Sequence, residues 1–212
     1  MSDTRILILG DSFAADWSVK YAEYKGWPTL LAEKYSVVNL AQAGVSEYKI
    51  YRQLAGVDLN KFDLVIVSHT SPLRVHTKRH PVHANDTLHK NADLIVADIE
   101  YHHSKIKNFF NWSLKSAYRF FIDHYDIEYF ETTYQLLRDQ INQILKNKTV
   151  IVIANFPGLE KFTHEQIVLH FTTDGGIINH MTKQGNQTIY QQLVKTIEQL
   201  STENKSKEEP QC

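Results

Sequence analysis

The sequence predicts an α/β sandwich built on a parallel sheet, and three observations predict it. Four short runs are continuously apolar and rich in β-branched residues: Ile6 to Leu9, Val37 to Leu40, Leu64 to Val67 and Val150 to Ala154. Strands read this way when helices cover both faces of the sheet and neither face meets water. Helical patterns separate the runs, which is the alternation that right-handed crossovers require. Finally, the runs exit into small and polar residues, at the strand ends where an open parallel sheet places its functional crevice.

The elements follow in order. The first run exits into Gly10-Asp11-Ser12-Phe13, and Trp27-Pro28 then opens a helix to about Tyr35, proline being suited to a first helical turn. The second run exits into Ala41-Gln42-Ala43-Gly44-Val45-Ser46 and leads to a helix from Glu47 to about Leu54. The third exits into Ser68-His69-Thr70-Ser71-Pro72. From about His76 to Tyr129 the rhythm breaks in a histidine-rich, partly helical insertion, too long for an ordinary connection and expected to form a lid or an oligomer surface. Leu136, Leu137, Ile141, Ile144 and Leu145 keep helical spacing over about Glu131 to Leu145. The fourth run exits into Asn155-Phe156-Pro157-Gly158, and a last helix spans about Lys183 to Leu200. Residues 1–200 are expected to form a single domain and the polar residues 201–212 a disordered tail.

Composition narrows the function classes. With 23 basic and 24 acidic side chains the net charge is -1, so nothing global attracts nucleic acid or an anionic membrane. The lone cysteine, Cys212, excludes an intramolecular disulfide and a cysteine metal cluster. The apolar run before Gly10 is too short for a signal-peptide core or a membrane span, so the expectation is a cytoplasmic protein without a membrane span.

Two segments carry the chemistry. Taken alone, Gly-Asp-Ser at positions 10 to 12 reads as a tight turn with a helix cap. A second segment, Asn179-His180-Met181-Thr182-Lys183-Gln184-Gly185-Asn186, precedes the last helix, and Thr182 as its cap would hold His180 in a fixed orientation. A serine becomes a strong nucleophile when a positioned base takes its proton, and the resulting intermediate needs donors aimed at its negative charge. Ser12, His180 and the glycine turn at Gly44 supply those three parts.

Together these segments resemble the SGNH, or GDSL-type, hydrolases over most of the chain. The first block is similar to GDS, the second to NLAQAG with Gly44, and the last to NHMTKQGN with His180. The resemblance implies a three-layer α/β/α, flavodoxin-like fold, Ser12 as nucleophile, His180 as general base, and backbone N–H groups of Ser12 and Gly44 as the oxyanion hole. It is distinct from the α/β-hydrolase elbow, since GxSxG is absent around Ser12. Two positions depart from the family pattern. The third block's asparagine, an oxyanion donor, is replaced by Thr70 within Ser68-His69-Thr70-Ser71, and losing such a donor costs about 10²–10³ in turnover. The acid expected three residues before the histidine is Ile177, which leaves Asp174, a backbone carbonyl or nothing to orient the imidazole.

Other side chains have plainer readings. Asp11, His69, Ser71 and Arg74 lie at strand exits and are candidates for substrate contact; Arg74 could hold an anionic group by two hydrogen bonds or form a surface salt bridge. His76, His80, His83, His89, His102 and His103 form no HExxH motif and have no convincingly placed carboxylate, so no metal and no cofactor are expected. Phe109, Phe110, Trp112, Tyr118, Phe120 and Phe121 serve either as a ligand wall or as helix packing. The function expected is hydrolysis of an ester, first an O-acetyl or other short acyl ester on a carbohydrate or small molecule. The alternatives are an O-acyltransferase, a weak or inactive relative that binds a glycan or small ligand, and a homo-oligomeric scaffold.

Overall fold

The computed structural model describes residues 4–155, 167–171 and 180–208, with side chains as far as 203. Five parallel strands form one sheet in the order β2-β1-β3-β4-β5: β1 Arg5–Gly10, β2 Ser36–Asn39, β3 Leu64–Ser68, β4 Thr149–Ala154 and β5 Ile167–His170. The flavodoxin-like α/β fold read from the sequence is therefore the observed one. The apolar stretch of β5, Ile167 to Leu169, is one residue shorter than the shortest of the four runs, and the sequence reading missed it.

Alternate side chains of β1, β3 and β4 enter different cores, whereas on the edge strand β2 Val38 is exposed, so the run from Val37 to Leu40 is not covered on both faces as the sequence suggested. Ile6 and Ile8 of β1, Leu64 and Ile66 of β3, and Ile151 and Ile153 of β4 pack with Trp27, Leu31, Ile189, Leu193 and Ile197. Those partners come from α1 (Trp27–Ala32) and α6 (Lys183–Glu208). Leu7, Leu9, Val65, Val67, Val150 and Val152 face the other way, onto Ile50 and Leu54 at α2 (Glu47–Gln53) and onto Ile141 and Leu145 of α5 (Ile127–Leu145). The period-2 geometry of a strand thus divides the continuous apolar runs of β1, β3 and β4 between two separate cores.

The insertion contains α3 (Val96–His103) and α4 (Trp112–Asp123), which pack around Val75, Ile99, Leu114 and Phe121. Asp93 fastens it to the sheet. Its buried carboxylate accepts from Ser46 N (2.7 Å) and Thr77 N (2.7 Å) and pairs with Lys49 Nζ (2.8 Å). Helix α5 starts earlier than its apolar spacing suggested, because Asp126 caps it by accepting from Tyr129 N (3.1 Å). Helix α6 continues to Glu208, so the first part of the tail expected to be disordered is helical.

Candidate active site

The end of β1 is held tightly. Gly10 has φ 155°, and a Cβ there would lie 2.8 Å from both Cβ and the carbonyl oxygen of Ser68 on β3. Only glycine fits that approach. The Gln53 side chain reaches back from α2, accepting from Gly10 N (2.8 Å) and donating to Gly10 O (2.9 Å). With both polar groups of Gly10 clamped, the chain turns sharply: Ala14 N donates to Asp11 O (3.2 Å) and Phe13 N to Asp11 Oδ1 (3.0 Å).

This turn sends neighbouring side chains into two different surroundings. Ser12 and His180 line one pocket on the α1 and α6 side of the sheet, with Phe13, Trp17, Tyr24, Gly26, Pro28, Met181 and Asn186 among its walls. The His180 ring lies between Phe13 (centroids 4.5 Å apart) and Trp17 (4.8 Å). Trp17 is itself fixed by donating from Nε1 to Ser12 O (2.7 Å). Thr182 caps α6 by accepting from Gly185 N (3.0 Å), which anchors the segment carrying His180.

Asn186 aligns the two helices behind the pocket. Its Oδ1 accepts from Trp27 N (2.9 Å), and its Nδ2 donates to Tyr24 Oη (2.7 Å) and Thr182 O (2.9 Å). Tyr24 in turn donates to Met181 O (2.8 Å). Trp17, Tyr24 and Asn186 went unnoticed as site residues, although Asn186 sits in the same short segment as His180.

Asp11 occupies a buried polar cluster on the α2 and α5 side. Burial lifts its carboxyl from 3.8 to about 6, against the lowering pull of the Arg74 charge, the Phe13 N–H and the nearby Thr70 hydroxyl, with Glu47 adding to the rise. Its Oδ2 is buried and accepts no hydrogen bond among the described residues. Beside it, His69 Nδ1 lies 2.6 Å from Glu47 Oε1, both groups removed from solvent, and Thr70 N donates to Glu47 Oε2 (3.4 Å). Burial, with the Glu47 charge as the next cause, pushes the Tyr134 phenol of α5 well above the ordinary tyrosine range. Glu47 was read only as the start of a helix. Its partner lies 22 residues downstream, so no local pattern reveals the pair.

Several candidate contacts therefore take other places. Asp11 and His69 are fully buried. Ser71 Oγ accepts from Leu73 N (3.3 Å) in a local turn. Arg74 straps two strand exits together, donating from Nε to Thr70 Oγ1 (3.1 Å) and from an Nη to Gly44 O (3.2 Å). These contacts differ from the surface salt bridge considered for it. Thr70 is buried against Arg74 and is not among the walls of the Ser12 pocket. Gly44 has φ 77°, and a Cβ there would meet Ala92 Cβ at 2.8 Å. Asp174, proposed from sequence as the third member, lies outside the described residues.

The histidines of the insertion do have a carboxylate among them, contrary to the sequence reading. Asp98 approaches His80 Nε2 (3.3 Å), His83 Nε2 (3.1 Å) and His102 Nε2 (3.5 Å). His80, His83 and Asp98 offer possible metal-ligand atoms within 4.8 Å of one another. His80 Nδ1, however, accepts from Val82 N (3.2 Å) and His83 N (3.2 Å), so the neutral ring carries its proton on Nε2, the atom facing Asp98. A metal-bound histidine uses the opposite arrangement, with the second nitrogen donating. Within the cluster His83 Nε2 is hydrogen-bonded to Asp98, and His80 and His102 stand at ion-pair distance from it. Burial alone would raise Asp98, but hydrogen bonds from His80 and His83 hold it well below the usual carboxylate range.

The fold and this crevice define a flavodoxin-like α/β protein with a serine and a histidine at one pocket. No protein-family model and no curated protein matches the chain. Among solved structures it is similar to an extracellular lipase from Streptomyces rimosus, at 16% identity and TM-score 0.37, over 88% of this chain and 70% of that one. It is also similar to a gut microbial diltiazem-metabolizing enzyme, at 12% identity and TM-score 0.34, over 94% of this chain and 35% of that one, so it spans about a third of that protein's length.

Proposed function

We propose that the protein is a serine esterase acting on an O-acetyl or other short acyl ester of a carbohydrate or small molecule. The observation that carries this reading is the shared pocket of Ser12 and His180. Ser12 Oγ bonds to the ester carbonyl carbon as His180 takes the hydroxyl proton. Backbone N–H groups of Ser12 and Gly44 stabilise the oxyanion. Collapse releases the alcohol, which receives its proton from His180, and water then opens the acyl-enzyme with His180 again as base. In this proposal Asp174 or a backbone carbonyl orients the imidazole. Asp11 holds the nucleophile turn through Phe13 N, and the aromatic walls favour a small acyl group.

Release of p-nitrophenol from p-nitrophenyl acetate tests the reading. Ser12→Ala and His180→Ala are each expected to lower kcat by about 10³-fold or more. Variants as active as the wild type would overturn it.

A second reading is favoured by Thr70. With no asparagine at that position and Thr70 Oγ1 engaged by Arg74, a weakly active or inactive glycan-binding protein is the alternative. Covalent labelling of Ser12 by a fluorophosphonate supports the esterase, and failure to label supports the binding protein. An O-acyltransferase would use the same pair, with an acceptor hydroxyl in place of water.

A further inference from the structure

Between Glu100 and Asp123 the chain carries Lys105, Lys107, Lys115 and Arg119 and no acidic side chain, although the whole protein has net charge -1. The same segment holds the three most exposed large apolar side chains in the described structure, Ile106 at 93%, Phe110 at 81% and Trp112 at 74%, with Phe109 at 62% beside them. They are surplus to the insertion's own core, which α4 completes from its other side with Leu114 and Phe121. Phe109, Phe110, Lys115 and Trp112 are contiguous. Phe109 and Phe110 meet edge to face at 5.2 Å, and Lys115 Nζ lies 4.3 Å from the centre of the Phe109 ring and 5.0 Å from that of Trp112. Lys105 lies 4.2 Å from the Tyr101 ring centre.

We propose that this face of the insertion docks on an anionic lipid bilayer, lying at the membrane surface without crossing it. Exposed phenylalanine, tryptophan and isoleucine enter the boundary between headgroups and acyl chains, while long lysine side chains reach the phosphates. The charge decides among occupants. A second copy of this chain would bring two like-charged segments together, which opposes self-association through this face. A single-stranded nucleic acid would use parallel aromatic platforms for successive bases. Here the Phe109 and Phe110 planes stand at 90°, and the most exposed group is the aliphatic Ile106. The inference does not depend on the esterase reading.

The test uses the full chain with vesicles of phosphatidylcholine alone and of phosphatidylcholine containing about one-third phosphatidylglycerol. Trp17 and Trp27 are buried at 3% and 1% exposure, so a blue shift in tryptophan emission reports Trp112 leaving water. Expected are a blue shift and co-sedimentation with the anionic vesicles, at least about tenfold tighter than with neutral ones and weakened by salt. Lys105→Glu with Lys107→Glu, and separately Phe110→Ser, should each reduce binding by about tenfold; all three side chains are exposed, so the fold is spared. Absence of binding, equal binding to both vesicles, or binding indifferent to these variants overturns the proposal. So does competition by an oligothymidine that displaces the vesicles, or a dimer in sedimentation velocity that Phe110→Ser abolishes.

Discussion

Asp11 and Ser12 are adjacent in the chain but serve different surroundings, and the difference is measurable. The folded-state pKa of Asp11 is raised, so the native protein holds that proton more tightly than the unfolded chain does. The stability it contributes is complete below 3.8 and is lost as pH rises through about 6. The stability difference between Asp11→Asn and the wild type should therefore move in the variant's favour by roughly 2 kcal/mol between pH 4 and pH 8. Urea unfolding at the two pH values checks this. A difference independent of pH would mean that Asp11 titrates as an ordinary surface carboxylate. At this scale short segments of the sequence marked Ser12 and His180, which line one pocket in the fold. It was silent on Glu47 and His69, because a buried acid-imidazole pair has no sequence period.

Among the elements, α6 and α1 are aligned by one amide. Asn186 bonds the first N–H of α1, the Tyr24 hydroxyl and a carbonyl at its own helix start. Asn186→Ala leaves a buried Trp27 N–H without its acceptor, and the expected loss is roughly 1–3 kcal/mol in thermal or urea unfolding. Because the same helix start follows His180, the proposed esterase activity should fall as well; unchanged turnover of p-nitrophenyl acetate would separate helix docking from the pocket. The helices were legible where capping or spacing was local, as at Trp27-Pro28 and Thr182. Strand β5 was not, since only Ile167 to Leu169 are apolar in it and its place in the sheet depends on pairing with β4.

For the molecule as a whole, the insertion is a separately packed unit attached through Asp93 and organised around Asp98. The hydrogen bonds from His80 and His83 depress the Asp98 pKa, so its contribution to stability is present above the unfolded carboxylate range and is lost as pH falls. In Asp98→Asn, hydrogen exchange should show amides of the insertion losing about tenfold or more in protection while those of β1, β3 and β4 keep theirs. Uniform loss across the sheet would show that the insertion unfolds only with the whole domain.

By itself the sequence determined the layered architecture, the two-sided burial of its central strands, and a serine at the exit of β1 with a histidine before the last helix. These follow from the length and period of apolar runs and from backbone chemistry within a few residues. Tertiary structure alone decided that Asp11 and Ser12 face different surroundings, that Arg74 straps Thr70 to Gly44, and that Asp98 stands among the histidines. Such outcomes depend on which distant charges and donors are brought within a few ångströms, and on how completely packing removes them from water.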